Sequence, residues 1–368
     1  MSRARDLANL GGSTDAGGLT GRNLIINGSQ IVAQRGDVTG ITNPGVFGGA
    51  DRFCTNGSSF GTVSLVQEAD APQEFAYSQR VKFTTARSTT NTSDHFALGT
   101  RLEGQNLQHL EKGTSNAKSL TVSFYAKASQ STTIQLELYD ADNSRHAGKE
   151  FAITTSWAKY SYTFAGDTTG AFDNDNNLSL HVFFWLGAGT DFTSGTNPDG
   201  SWIANTSTRR VHSDVGTTFM DTLNAEFNLT GVKLEVGSTA TDFEHRSYGD
   251  ELALCQRYYY RIQEGLSYQR FATVQCVDAN TGYGIIYLPV SMRTQPTIHS
   301  TGTASNYGIF ENNGLNTATA LASLDSNASN SEIVTFAVYS TNNLAGGNAA
   351  SYVANNNTSV FLAFNAEL

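Results

Sequence analysis

Cysteine, proline and charge are all scarce in these 368 residues: 3 Cys, 5 Pro and 15% Asp, Glu, Lys and Arg together. Cys54, Cys255 and Cys276 are odd in number and widely separated, which argues against a disulfide framework and against a C-x-x-C metal site. They are expected as reduced, buried thiols. No run of five basic residues occurs and the formal net charge is -10, so sequence-independent binding to nucleic-acid phosphates is not expected. The strongest apolar run, 182–186 with its flanks, falls far short of the roughly 20 residues that cross a bilayer. A signal-peptide core is also missing at the N-terminus, so a soluble protein without an export signal is expected. Heptads and fixed repeats are absent, which excludes a coiled-coil shaft and a solenoid.

What is present is glycine (35), tyrosine (15), phenylalanine (21) and long stretches of Asn, Ser and Thr. Uncharged polar surface with aromatic and β-branched cores favours an all-β protein, and the length suffices for two cores without disulfides or metals. Short alternating runs recur between Gly, Asn, Ser and Asp clusters. Leu120, Val122, Phe124 and Ala126 form one inward row; Ile134, Leu136 and Leu138 form another, as do Tyr160, Tyr162 and Phe164, and Leu178, Leu180, Val182 and Phe184. No ten-residue helical pattern interrupts them, so a parallel βαβ sheet is excluded and an antiparallel jelly-roll sandwich is expected. Trp157 and Trp185 are expected in its core.

Residues 231–260 break this pattern. Val232, Leu234 and Val236 read as a half-buried strand, Ser247 with Asp250 three positions on fits a capping box, and Tyr248, Leu252, Cys255 and Tyr259 fall on one helical face. Beyond this helix, 257–262, 268–277, 284–290, 333–339 and 359–364 read as strands of a second, smaller β domain, with 341–357 as loop or edge. Residues 1–22 contain two Gly-Gly pairs and few apolar side chains, too little to order themselves. The segment RARDLANL at 3–10 is a possible short helical anchor onto neighbouring chains, or a tail packed on its own domain.

The stretch 234–259 has the form LE.G..AT.FE.R.YG.EL..CQRYY. It resembles a segment of bacteriophage virion proteins, many of them tail fibres or minor structural proteins, in which it joins a carbohydrate-binding-like sandwich to a following module. NLIINGSQIVAQRG at 23–36, ADRF at 50–53, YSQRV at 77–81, LTVSFYAK at 120–127, SWAKYSYTF at 156–164 and LPVSMRTQPTI at 288–298 are similar to further landmarks of those proteins. Asp242 stands where proline is expected and Tyr125 where tryptophan is frequent. The resemblance implies four parts: a virion- or oligomer-anchoring arm at 1–22, a carbohydrate-binding-like jelly roll at 23–244, a linker helix at 245–260 and a C-terminal β domain at 261–368. It implies a non-enzymatic tail-fibre or appendage subunit on the virion, assembled in the host cytoplasm as a homo-oligomer, a trimer first. Its partners would be other virion proteins through the arm and a host-surface glycan, with no nucleic acid and no membrane insertion. A capsid decoration protein or head fibre is the alternative, and a polysaccharide-trimming enzyme the alternative from another class.

Searching for chemistry gives little to support the enzyme. There is no G-x-S-x-G elbow, H-E-x-x-H or Walker loop, and the seven histidines lack ligand spacing. Asp173-Asn-Asp-Asn-Asn177 begins like a calcium loop but lacks its glycine at position six and glutamate at position twelve, and Asp140 and Asp142 read as turn residues. Catalytic, cofactor and metal residues are therefore expected to be none. Sugar recognition asks for an aromatic ring beside amides and carboxylates, and Phe192, Asn197, Asp199, Trp202 and Asn205 supply that set within 187–208.

Overall fold

Twelve strands precede residue 237, several of them on the alternating rows of the sequence. They are β1 (Val38–Ile41), β2 (Cys54–Ser58), β3 (Thr62–Glu68), β4 (Ser78–Thr85), β5 (His95–Glu103), β6 (Leu120–Ala128), β7 (Thr132–Asp140), β8 (Arg145–Ile153), β9 (Ala158–Phe164), β10 (Leu178–Ala188), β11 (Ile203–Ala204) and β12 (Glu226–Val236). The computed structural model describes residues 22–87, 91–263, 265–312, 314–341 and 343–368; the arm expected at 1–22 lies outside them except for Arg22. The chain divides into a unit ending at Glu251 and a second unit, Leu252–Glu367.

The first unit is an antiparallel jelly-roll sandwich. One sheet runs β1-β3-β4-β12-β6-β9 and the other β11-β8-β7-β10-β5-β2. The four alternating rows of the sequence point into the space between them, where Phe124 of β6 meets Phe184 of β10 edge-on at 5.0 Å and stacks on Tyr160 of β9 at 5.5 Å. Truncating such a fully buried ring typically costs about 3–5 kcal/mol.

The last strand made, β12, takes a central place between β4 and β6. A bulge interrupts its pairing with β6 between Thr230 and Lys233. Gly231 lies in this interval at φ +60°, where a Cβ would come 2.6 Å from the Phe75 ring. The residue therefore has to be glycine for Phe75 to lie there, and Phe75 in turn packs against Tyr125 and Phe243. Lys233 and Glu235 are buried as a pair at 3.0 Å, because the segment after the strand folds back over them. The Thr241 amide and hydroxyl donate to Glu235 at 2.8 and 2.7 Å, and Lys233 donates to the Asp242 carbonyl at 2.9 Å. Asp242 thus contributes its backbone oxygen, which proline would offer equally.

The first residues of the unit close onto its last ones. The Asn23 side chain bridges the Val232 carbonyl and the Leu234 amide at 3.0 and 3.1 Å, and the Asn27 amide donates to Glu251 at 2.5 Å. Three helices of four or more residues are described: α1 (Thr190–Thr193), α2 (Thr218–Asp221) and α3 (Tyr248–Gln256). The Ser247 hydroxyl accepts from the Asp250 amide at 3.2 Å, and itself donates to the Asp250 carboxylate at 2.6 Å. The expected apolar face of α3 is corrected. Cys255 and Tyr259 are buried as expected, but Tyr248 is 58% exposed and Leu252 is only half-buried, while the charged Glu251 of the helix is buried. Glu251 goes inside because the Asn27 amide and Arg246, 3.2 Å away, satisfy its carboxylate, a cause that apolar periodicity does not register. All three cysteines are free and buried.

The second unit contains β13 (Tyr259–Ile262), β14 (Arg270–Cys276), β15 (Thr281–Tyr287), β16 (Thr297–Ser300), β17 (Tyr307–Glu311), β18 (Gly314–Thr317), β19 (Ala320–Leu324), β20 (Ile333–Tyr339), β21 (Ala349–Ala354) and β22 (Leu362–Asn365). A seven-stranded antiparallel sheet, β18-β17-β21-β14-β15-β20-β19, and a three-stranded one, β13-β22-β16, contribute to a single core. Tyr307 and Tyr352 stack there at 5.4 Å, and Tyr307 donates to the Phe361 carbonyl at 2.7 Å. The expectation that 341–357 is loop or edge is overturned by β21, which sits between β17 and β14. Its Ala-rich sequence gives weak strand propensity, and its place comes from ladders on both sides. Strands β16 to β19 were likewise not expected.

Candidate functional site

Both faces of β10 are buried. Leu180, Val182 and Phe184 face the sandwich core, while Phe183 and Trp185 on the opposite face join Val211 and Val215 in a separate apolar cluster. The cover is residues 189–216, which leave β10 and fold back as a strap. Its closure is fixed by the Ala188 amide on the Gly216 carbonyl at 2.7 Å and the Gly195 amide on the Thr208 carbonyl at 2.7 Å.

Beneath the strap lies Glu137 of β7, fully buried. It accepts from the Trp185 indole at 2.9 Å and from two nitrogens of Arg210 at 2.8 and 2.7 Å. The Arg210 guanidinium lies over the rings of Tyr139 and Trp185, at 4.7 and 5.0 Å. Burial opposes its charge, but the Glu137 carboxylate more than compensates and raises the Arg210 pKa above its ordinary value. Gln135, two residues earlier on β7, accepts from the His212 amide and donates to the Arg210 carbonyl. The strap is therefore pinned by a carboxylate and an amide on one strand.

Three histidines share this face. The His95 ring lies tilted against Phe192 at 4.5 Å, and burial pushes its pKa down. His146 is fully buried 3.5 Å from Glu137, and neither ring nitrogen has a hydrogen-bond partner among the described residues. Burial again lowers its pKa, against the pull of Glu137. His181 stacks on Phe183, and burial, reinforced by Arg101 and Arg210, lowers it to about 3.

On the flank of the strap opens a polar cavity of about 480 Å³, lined by Glu150 of β8, residues 193–197, Asp199, His212 and Ser213. It holds two carboxylates, an amide, several hydroxyls and an imidazole. Lys149 is 3.3 Å from Glu150 and also donates to Asp199, so one ammonium serves both carboxylates. The Asp199 contact is the main cause of the raised Lys149 pKa. Glu150 Oε2 is buried and has no hydrogen-bond partner among the described residues.

The five residues expected to form one sugar site are not brought together. Asn197 and Asp199 line the cavity. Asn197 is shaped by the strap itself, donating to the Arg209 carbonyl at 3.3 Å and accepting from the Asp199 amide at 3.1 Å. Phe192 spends its ring on His95 and Trp185 beneath the strap. Trp202 packs against the main core, with its indole donating to the Ala165 carbonyl at 3.0 Å. Asn205 is exposed farther along, its amide held by the Ser144 carbonyl at 2.8 Å. Trp185 is buried, but in the cluster beneath the strap and not in the sandwich core where it was expected. Trp157 is in neither: it is half-buried at the surface, with its indole on Asp70 at 3.0 Å and Lys127 5.5 Å from its ring.

The acidic turns have structural partners. Asp140 caps the Asn143 amide at 3.0 Å and pairs with buried Lys112, while Asp175 caps the Asn177 amide at 2.9 Å. Among the described residues, no group of three or more His, Cys, Asp or Glu side chains is arranged to hold a metal ion. Glu150, His212, Ser213 and the Glu137–Arg210 pair were missed in the sequence. The continuous apolar run of β10 carried one usable signal, because a strand apolar on successive residues is buried on both faces.

No protein-family model and no curated protein matches the chain. Among solved structures, it is similar to the enzymatically active domain of tailspike protein 4 of bacteriophage CBA120, at 10% identity and a TM-score of 0.31, covering 58% of this chain and 21% of that one. The chain therefore spans about a fifth of that tailspike. It is also similar to a putative sugar binding protein from Bacteroides thetaiotaomicron, at 11% identity and a TM-score of 0.32, covering 59% of this chain and all of that one. A third is TmCBM61 in complex with β-1,4-galactotriose, at 11% identity and a TM-score of 0.31, covering 59% and 99%. Likeness this distant carries no information about ligand or activity.

Proposed function

We propose that the chain is a bacteriophage virion structural protein, a tail-fibre or appendage subunit that attaches to host-surface glycan without cleaving it. It works as a homo-oligomer, a trimer first, with its N-terminal arm on other virion proteins. The resemblance of the seam at 234–259 supports the virion assignment. The observation that carries the glycan reading is the open cavity beside the strap, lined by the carboxylates of Glu150 and Asp199, by Asn197 and His212, and by a row of hydroxyls. Such a lining suits a ligand that is itself a dense array of hydroxyls, each both donor and acceptor.

Titration calorimetry of the full chain against host-envelope polysaccharide fragments tests the cavity. Glu150→Ala and Asn197→Ala should each weaken binding about 10-fold, the worth of one hydrogen bond involving a charged or well-placed polar group. Trp202→Phe should leave affinity unchanged, since that ring packs on the sandwich core. Full affinity in both cavity variants would remove the site. Sizing the polysaccharide after incubation addresses cleavage, and release of new reducing ends would overturn the non-enzymatic assignment. Immunogold labelling of intact particles addresses location. Label confined to the capsid would make the chain a decoration protein or head fibre.

A further inference from the structure

The cavity leaves the second unit without a role, yet that unit carries the most unusual surface of the molecule. On β15, Gly282, Gly284 and Ile286 turn inward, while Tyr283, Ile285 and Tyr287 point the other way and are 42%, 54% and 76% exposed. Pairing places Thr335 of β20 beside Ile285 and the buried Ala337 beside Tyr283, with Gln275 of β14 on the other side of Tyr283, so uncharged residues surround the three. Phe310 of β17, 42% exposed, extends the same face, with Arg270 of β14 lying 5.2 Å over its ring and donating to Ser351 at 2.7 Å. An antiparallel sheet with one solvated face normally turns polar residues outward there. This one turns out tyrosine, isoleucine and phenylalanine.

Size and charge identify the occupant. Seven strands about 4.8 Å apart and four to seven residues long make a face of roughly 30 by 20 Å, or about 600 Å². That matches the lower end of what each partner contributes to a stable interface of standard size. Among the described residues, Arg270 is the one charged strand residue on this face, and its guanidinium is already engaged by Phe310 and Ser351. A basic partner finds no carboxylate there, and an anionic surface finds no free cation. For a chain of net charge -10, a carboxylate-free face is where two copies can approach without like-charge repulsion. Tyrosine, phenylalanine and arginine over neutral small residues is also the composition of interface centres.

We propose that the outward face of this seven-stranded sheet is the surface on which a second copy of the chain docks. The proposal does not depend on the cavity. A monomer that binds glycan overturns it, and an oligomer that binds none leaves it standing.

Light scattering coupled to size-exclusion chromatography of the full chain, from about 1 to 100 µM, reads the result directly. The expected mass is two or three chains. Ile285→Asp and Thr335→Glu, each placing carboxylates opposite their own copies, should raise the dissociation constant at least about 100-fold. Tyr287→Ser removes apolar area at the most exposed position without touching the core, and should weaken assembly about 10-fold even if the charged variants fold poorly. Near-ultraviolet circular dichroism identifies variants that retain the native fold. A wild-type chain that stays monomeric at the highest concentration overturns the proposal, as does an oligomer undisturbed by the folded variants.

Discussion

Strands β10 and β15 are both rich in large apolar residues, yet they meet solvent very differently. On the outer face of β10, Phe183 and Trp185 are 4% and 1% exposed; on the outer face of β15, Tyr287 is 76% exposed. The contrast extends to the whole units. Of the eleven large apolar side chains exposed among the described residues, Tyr77, Leu223 and Tyr248 lie in the first unit and the other eight in the second, although the first is about twice as long. The first unit makes its own cover: the strap lies over one sheet, and Phe75 with the segment after β12 lies over part of the other. Among the described residues, the second unit makes none for the outward face of its seven-stranded sheet. Exposure of an aromatic row is thus decided by the segments that the chain supplies elsewhere, and the strand sequences alone do not separate the two cases.

The largest expected effect breaks the cover of the first unit. Glu137→Ala leaves Arg210 buried without its carboxylate and the Trp185 indole without an acceptor, which should cost about 3–5 kcal/mol. The thermal midpoint should fall by roughly 10 °C, with a changed tryptophan signal in near-ultraviolet circular dichroism. A variant that melts like the parent would show that the strap is held by its apolar contacts alone.

Acid should loosen the same region by a smaller amount. The unfolded chain protonates His181 as pH falls through about 6.5, whereas burial holds the folded group neutral down to about 3. In that window the unfolded state binds more protons, so stability falls as pH falls. From pH 7 to 5 this amounts to about 2 kcal/mol, and His95 and His146 act in the same direction. Thermal scans across that range check it, and His181→Gln should flatten the slope.

Next comes Gly231→Ala. It forces a side chain into the left-handed backbone region and against Phe75, and should cost about 1–2 kcal/mol by urea unfolding. The smallest effect is expected in the second unit. Tyr287→Thr should change the stability of the isolated monomer by less than about 0.5 kcal/mol, because so much of the ring is already in water. A large loss there would mean that the ring packs within its own chain, and the contrast between the units would narrow.

Much of the first unit was legible because its strands obey one rule. Where a row such as Leu120, Val122, Phe124 and Ala126 faces a single core, period two is sufficient evidence. Strand β10 obeyed it on one face and hid a second buried face, since the strap that covers Phe183 and Trp185 is an irregular segment whose path no periodicity encodes. In the second unit, β21 was invisible because alanine and serine carry little strand preference, so its position comes from its neighbours. The helix α3 was found with half of its expected face: Cys255 and Tyr259 are buried, Tyr248 is not, and Glu251 is buried through specific donors. The candidate site was half legible. Asn197 and Asp199 belong to one polar loop, whereas Glu150 reaches the cavity from a strand about fifty residues away, a juxtaposition only the fold creates.

The central place of β12 sets a schedule for synthesis. Its sheet cannot be zipped until residue 236 has been made, and the bonds from Asn23 and Asn27 wait for residues 232 to 251. At about 5–20 residues per second, more than 200 residues separate the first of these partners from the last, a gap of roughly 10–40 s. Once made, β4 and β6 present open edges on the ribosome until β12 arrives, and nascent chains growing side by side on one message then have their best opportunity to pair wrongly. The Lys233–Glu235 pair and the tight bulge at Gly231 make the arriving strand hard to imitate, so the centre of the sheet is reserved for the one segment that fits it.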